Sequence, residues 1–191
     1  MSGIYSPSPR IIFMKVGVHA QESLEEIIAR KQQEIQDAGH AFWGYGGNTC
    51  HPLNMVQPFA RQSAERGNKI ILCMQEMVSH HFAEPIRAEQ YSVDGRAWHS
   101  VHNKINVLGS RYALVIRDLR RDVFDLPLSA ARVAVGPSMG QTGVNYIRGR
   151  VDKACFEMVD QSSESSTATG ETIKIDLVAE LCEPYAVFLK N

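Results

Sequence analysis

The chain lacks long apolar runs, which argues against a membrane protein. No segment of its 191 residues approaches the roughly 18 consecutive apolar residues of a membrane-spanning helix. Residues 1–9 carry no apolar stretch of the kind found in a secretory signal, and we expect them to form a loose N-terminal leader. We therefore expect a cytoplasmic protein with no membrane partner.

Cysteine is scarce, and its spacing disfavours a structural metal. The four cysteines are Cys50, Cys73, Cys155 and Cys182. No two of them form the C-x-x-C pair that a zinc ribbon requires. Cys73 and Cys182 lie in apolar, strand-like runs, so we expect both to be small core residues. Without an export signal, a reducing compartment is expected.

Named nucleotide-binding and metal-binding motifs are missing as well. The glycine-rich loop 46–52 has neither the lysine and spacing of a phosphate-binding P-loop nor the pattern G-x-G-x-x-G. H-E-x-x-H is absent. The pairs His80 and His81, and His99 and His102, would diverge on a strand, because residues one or three apart face opposite sides. We therefore assign no metal site, and no cofactor is indicated.

What is present is the composition of an ordinary globular protein. Apolar residues make up 44% of the chain and charged residues 21%, values typical of a globular domain. The length fits one domain, which we expect to span 1–191. Residues 161–170 are polar and poor in apolar side chains, which predicts a mobile loop.

The order of secondary-structure signals predicts an α+β fold. The clearest signal is a capping box, in which Ser23 and Glu26 cap each other's backbone at a helix start, and Gly39 is suited to end that helix. The first part of the chain gives β-α-β-α-β: a strand at 10–18, this helix, a strand at 41–45, a helix from Pro52 or Pro58 to Glu65, and a strand at 69–77.

After residue 80 the signals are mainly strands and turns. Asp94-Gly95 predicts a hairpin, and strands are predicted at 111–119, at 131–135, within 144–159, at 171–177 and after Pro184. Together these signals predict a mixed, curved sheet or half-open barrel with two main helices near the N-terminus.

The segment 41–52 is the most informative stretch of the sequence. Trp43 and Tyr45 are two residues apart and share one face of the predicted strand, while Phe42 faces the other way. Glycines allow a ligand to approach the backbone, and a helix start offers unpaired N–H groups to an anion. The expected ligand-binding residues are Trp43, Tyr45, Gly46, Gly47, Asn48, Thr49, Arg148 and Arg150.

The two arginines of that set follow a second glycine-rich run, 136–143, and guanidinium groups suit a phosphate. Residues 101–150 hold eight basic against three acidic residues, and residues 151–191 hold three against eight. We favour mutual neutralisation of neighbouring strands. The alternative is an anion-facing surface that includes Arg111 and Arg117.

The leading hypothesis is binding of a nucleotide-like anionic ligand, free or within a nucleic acid. Trp43 and Tyr45 would stack the planar part, so Trp43→Ala should weaken binding without unfolding the protein. A second hypothesis is a hydrolase or transferase in which Cys50, near a helix start, is the catalytic nucleophile and His51 or another histidine the base. A third is a protein-interaction module without a small ligand.

Overall fold

The computed structural model describes residues 10–47, 49–78, 82–148, 151–159 and 170–191. Within them the elements follow the order β1 (Arg10–Val16), α1 (Leu24–Ala38), β2 (Ala41–Tyr45), α2 (Gln57–Glu65), β3 (Ile70–Glu76), β4 (Gln90–Ser92), β5 (His99–Ser100), β6 (Tyr112–Pro127), β7 (Ala131–Val133), α3 (Gly143–Arg148), β8 (Lys153–Met158) and β9 (Thr172–Lys190). A π-helical turn, Pro52–Val56, leads into α2.

The strands form one large mixed sheet that is not closed, which confirms the α+β prediction. Its order is β2-β6-β9-β3-β1-β8-β7, with β4 and β5 attached to β9. β1 and β3 run parallel, as a β-α-β-α-β start allows, and the other neighbours are antiparallel. No helix in the described part of the chain is long and apolar enough to cross a membrane.

Successive residues of β1 pack on opposite faces of the sheet. Ile12 and Met14 lie in the core cluster that includes the inner residues of α1 and α2. Ile11 and Phe13 lie in a second cluster with Phe156, which α3 helps to cover. The central parallel strands are thus buried on both faces, as expected for strands flanked on both sides of the sheet.

The first helix forms as its capping box predicts. The Ser23 hydroxyl accepts the backbone N–H of Glu26, whose carboxylate accepts the N–H of Ser23 at 2.8 Å. Gly39 ends the helix with a φ of 81°, a conformation that glycine adopts without strain. These signals act within one turn of helix, and tertiary packing does not alter them.

Three elements differ from the sequence-based expectation. Residues 143–148 form the short helix α3 where only a strand was predicted, because a helix this short shows no apolar period. The strands predicted at 171–177 and after Pro184 are one continuous strand, β9. β6 is also longer than predicted, since three register shifts let it follow β9 around the curve of the sheet.

Part of the charge asymmetry of the sequence is neutralised by ion pairs between the basic segment 101–150 and the acidic segment 151–191. Arg117 lies opposite Glu180 in the register and binds its carboxylate at 2.6 Å. Arg148, at the end of α3, forms an ion pair with Glu171. These pairs support the neutralisation interpretation for this part of the molecule.

Candidate functional site

A cavity of about 540 Å³ opens at the carboxyl ends of the parallel strands β1 and β3. Its walls come from the end of β1 and the turn after it, from α1, from residues 43–47, from residues 107–112, and from residues 152–153. Ligands of α/β sheets bind at this edge, because the loops that leave the strands form crevices there. We call this candidate site the strand-end cavity.

Curvature of the sheet brings distant strands together at this cavity. β2 and β8 are the first and sixth strands in a path of seven. Nevertheless Gly46, just after β2, lies beside Lys153 at the start of β8: a Cβ on Gly46 would be 4.0 Å from the Lys153 Nζ. The two ends of the sheet therefore contribute to one site.

Trp43 and Tyr45 line the strand-end cavity from the face that the alternation predicts, and Phe42 packs in the opposite cluster. Both side chains are deeply packed, with 4% of Trp43 and 5% of Tyr45 exposed. Burial raises the pKa of the Tyr45 phenol well above its ordinary value. The rings therefore present only a small part of their surface to a ligand, and Trp43→Ala would disrupt the core as well as the cavity wall.

The glycines of the segment are explained by close neighbours. A Cβ on Gly44 would overlap Ser110 Oγ and lie 3.0 Å from Ser110 Cβ, and a Cβ on Gly47 would lie 2.8 Å from the Tyr112 ring. Gly46 has an open environment by comparison. Two of the three glycines thus allow residues 110–112 to pack against β2, which shapes the wall of the cavity.

Positive charge exceeds negative charge in the cavity wall. The charged residues that line it are Lys15, Arg30, Lys31, Arg111 and Lys153, with Glu22 and Asp152. The Lys15 side chain faces away from the helix-covered core, because its strand neighbours Met14 and Val16 face toward it. Arg30 pairs with Glu22, and Lys31 pairs with the buried Glu34. Among the described residues, no carboxylate lies within 4.0 Å of the charged nitrogens of Lys15, Arg111 or Lys153. The charges of Arg111 and Lys153 remain available to an anion in the cavity.

Lys153 is the cation best directed into the site, and the sequence analysis did not select it. Lys153 lies opposite Met14 in the β1–β8 register, and Cys155 lies opposite Ile12. Since Ile12, Met14 and Cys155 share the helix-covered core, Lys153 projects from β8 toward that same face. No signal in the sequence marks Lys153, because its position depends on the pairing of β8 with β1.

A buried ionic network fixes the wall formed by α1. The Lys31 ammonium donates to Glu34 at 3.0 Å and to the carbonyl of Asn106 at 2.9 Å. Glu34 also accepts the N–H of Asn106 at 3.0 Å and binds Arg30 at 3.0 Å. Burial lowers the pKa of Lys31 from its ordinary 10.5 to about 8, against the opposing effect of Glu34. The network joins α1 to Asn106, which directly precedes the cavity-wall residues 107–112.

Cys50 and His51, the predicted catalytic pair, do not face each other. Cys50 is buried, and its sulfur lies 3.9 Å from that of Cys155. His51 caps the π-helical turn by accepting the N–H of Asn54 at 3.4 Å, and its ring packs against Phe188. The partner of the Cys50 thiol is therefore a second thiol, whereas a cysteine enzyme needs a base.

The remaining predicted site residues fall into three groups. Thr49 lies outside the cavity wall and hydrogen-bonds the Cys50 thiol. Arg148, the last residue of α3, forms an ion pair with Glu171 and does not line the cavity. Asn48 and Arg150 lie outside the described residues, as do the leader 1–9, His80, His81 and, apart from Gly170, the loop 161–170.

A second cavity, of about 660 Å³, shares the wall 109–112 with the first. Trp98 lines this second cavity. The Lys190 ammonium lies over the Trp98 ring, 4.3 Å from the ring centre. Arg111 lines both cavities. Within the described ranges, no cluster of three or more histidine, cysteine, aspartate or glutamate side chains is arranged to bind a metal ion.

Comparison with known proteins gives no relative for this chain: no family model, curated protein or solved structure matches it.

Proposed function

We propose that the protein binds a nucleotide-like anionic ligand in the strand-end cavity. The observation that carries this proposal is the pair of cations in its wall, Arg111 and Lys153, without carboxylate partners among the described residues. Cations at the edge of a low-dielectric cavity attract anions more strongly than cations exposed on a convex surface. The phosphate groups would bind to these side chains.

The size and remaining lining support a ligand with an apolar or planar part. Small-molecule sites usually enclose roughly 300–1,000 Å³ and combine apolar walls with a few polar groups, and the strand-end cavity has about 540 Å³. Trp43 and Ile27 supply apolar surface. The exposed backbone of Gly46, beside the Lys153 ammonium, can approach a phosphate without a side chain in between.

Titration calorimetry with ATP, AMP, adenosine and inorganic triphosphate tests the proposal. We expect ATP to bind most tightly, adenosine not to bind measurably, and affinity to fall as salt is raised. Lys153→Ala should weaken ATP binding by about 10- to 100-fold, the equivalent of one charge-assisted hydrogen bond. Lys104→Ala is the matched control, because Lys104 is exposed and lies outside both cavities.

The variant comparison separates this site from general attraction of anions. Equal loss of affinity in Lys153→Ala and Lys104→Ala would contradict binding in the cavity, and so would an absence of binding by every phosphate compound. Lys153 is half-buried and unpaired among the described residues, so its truncation should leave the unfolding transition unchanged.

A second candidate function is protein interaction, which two exposed apolar side chains favour. Val78, the residue after the cavity-lining Met77, is 87% exposed and Phe82 is 68% exposed, and exposed apolar surface marks interaction sites. The simplest partner to test is a second copy of the chain. Sedimentation of the wild type and of Val78→Ser/Phe82→Ser should then show association that only the wild type undergoes; identical monomeric behaviour would argue against it.

A further inference from the structure

The thiols of Cys50 and Cys155 form a close buried pair that the proposed ligand binding does not use. Their sulfurs are 3.9 Å apart although the residues are 105 positions apart in the sequence. Cys50 is 2% exposed and Cys155 is 1% exposed. Cys155 lies in the middle of β8, whereas Cys50 lies in the loop between β2 and the π-helical turn.

We propose that Cys50 and Cys155 are a redox-active dithiol that a small hydroperoxide oxidises to a disulfide. The proposal goes beyond ligand binding and does not depend on it. The two sulfurs are 3.9 Å apart, and a disulfide needs them about 2 Å apart, so they must approach each other by about 2 Å. One partner is on a loop, which can make this movement without breaking a sheet ladder.

The reaction is balanced with one hydroperoxide, such as hydrogen peroxide, as oxidant. The Cys50 thiolate attacks one peroxide oxygen, the O–O bond breaks, and the leaving hydroxide takes a proton to become water. The product is a sulfenic acid on Cys50. The Cys155 sulfur then attacks the Cys50 sulfur, the S–O bond breaks, and the hydroxide leaves as water with the Cys155 proton. Two thiols are oxidised, and the peroxide is reduced to two waters.

The surroundings make Cys50 the attacking thiol and Cys155 the resolving thiol. A hydrogen bond from Cys155 lowers the pKa of Cys50, burial opposes this, and the Lys153 ammonium lowers it further. The same hydrogen bond raises the pKa of Cys155, and burial adds to that effect. The thiolate is the reactive form of cysteine, so the first oxidation is expected at Cys50.

The wall of the strand-end cavity comes close to the pair, because Lys153 lines that cavity and its ammonium acts on the Cys50 thiol. Gly46, Gly47 and Lys153 line the strand-end cavity and are close neighbours of the two thiols in sequence. Residues 49–51 of the loop have no regular secondary structure, and such segments open locally more often than strands do. Cys73 has no comparable position: it is fully buried on the opposite face, where burial raises its pKa to about 12.

Mass spectrometry of the full-length protein tests the proposal. The reduced protein is treated with hydrogen peroxide, denatured, alkylated with N-ethylmaleimide and digested. Compared with the untreated protein, the oxidised protein should carry two fewer N-ethylmaleimide groups, and before alkylation its mass should be lower by two hydrogen atoms. The digest should contain a peptide in which a disulfide links Cys50 to Cys155. Dithiothreitol should restore both thiols.

Three variants define the specificity of the reaction. Cys73→Ala and Cys182→Ala are the controls and should form the same link as the wild type. Cys155→Ala should form none, and its Cys50 should accumulate as a sulfenic acid that dimedone traps. Should Cys155→Ala fail to fold, the linked peptide from the wild type decides the matter alone. Four alkylated thiols after peroxide treatment, or a link that involves Cys73 or Cys182, would overturn the proposal.

Discussion

At the scale of single residues, the glycine and aromatic segment around β2 is explained more by neighbours in space than by neighbours in sequence. Gly44 leaves room for Ser110, and Gly47 leaves room for the ring of Tyr112. The alternation of Trp43 and Tyr45 was predictable, because it follows from the period of a strand. Their nearly complete burial was not predictable, since it depends on which elements cover that face.

Gly44 gives a direct test of this close packing. Gly44→Ala should lower the free energy of unfolding by about 1–3 kcal/mol, the usual effect of an extra methyl group in a packed site. Ser110 cannot turn away without cost, because its hydroxyl lies 3.2 Å from His19 Nε2 and 3.3 Å from the Leu108 carbonyl. Urea unfolding followed by circular dichroism measures the change.

Gly46→Ala is the matched control for that measurement. A Cβ on Gly46 has only the end of the Lys153 side chain within 4.0 Å, so this variant should stay within about 0.5 kcal/mol of the wild type. Ser110→Gly in the Gly44→Ala background should recover stability. If both alanine variants unfold alike, contact with Ser110 is not the reason for glycine at position 44.

At the scale of elements, local signals set the ends of α1, and tertiary hydrogen bonds set its position against the rest of the protein. Its ends are set by Ser23, Glu26 and Gly39, and all three were readable in the sequence. Its attachment to the segment 101–109 depends on Lys31, Glu34 and the backbone of Asn106. Nothing in the sequence reveals this contact, because Lys31 and Glu34 look like an ordinary pair on a helix surface.

The buried network predicts a large effect of a small change. Glu34→Gln keeps the shape of the side chain but leaves Lys31 and Arg30 without their shared buried counter-ion, and it should destabilise the protein by about 3–5 kcal/mol. Asp37→Asn, on the exposed face of the same helix, should cost less than about 0.5 kcal/mol. Urea unfolding of both variants compares them.

A double variant adds a second criterion to this comparison. Lys31→Met/Glu34→Leu replaces the pair by apolar side chains and should be more stable than Glu34→Gln alone, since no buried charge of the pair is left unmatched. A Glu34→Gln protein as stable as Asp37→Asn would show that the network does not hold α1 in place.

At the scale of the whole molecule, curvature of the open sheet creates the strand-end cavity. β2 and β8 lie near opposite ends of the strand order, yet Gly46 meets Lys153 and Cys50 meets Cys155. The sequence indicated a curved mixed sheet, but it contains no signal for which strands meet across the curve. For this reason Lys153 was not predicted as a site residue. Arg148, which follows the glycine-rich run 136–143, was predicted, but it lies on α3, which packs on the opposite face of the sheet.

Stability of the whole molecule should depend on pH through Lys31. Its pKa is about 8 in the folded protein and 10.5 ordinarily, so between these values the unfolded chain binds more protons than the folded one. The free energy of unfolding attributable to Lys31 therefore rises with pH from about 8 to 10.5, and it is lowest below this window. Urea unfolding across this range should show a steeper rise for the wild type than for Lys31→Met.

Lys174 provides a control of opposite sign. Its hydrogen bond to Asp176 raises the pKa of Lys174, so its contribution is present at lower pH and is lost as the pH rises through the folded value. Lys174→Met should therefore keep the wild-type slope between pH 8 and 10.5 and lose only a falling component above 10.5. Equal slopes for the wild type and Lys31→Met would mean that Lys31 is not desolvated in solution.

The sequence by itself determined the local features: the capped helix α1, the strands β1 and β3, the faces of Trp43 and Phe42, and the α+β class. Each of these depends on residues within a few positions of one another or on a simple period. Only the tertiary structure decided the strand order, the helix α3, the meeting of Arg111 and Lys153 in the cavity wall and the pairing of Cys50 with Cys155. These depend on contacts between residues far apart in the chain, which form when apolar burial curves the sheet around α1 and α2.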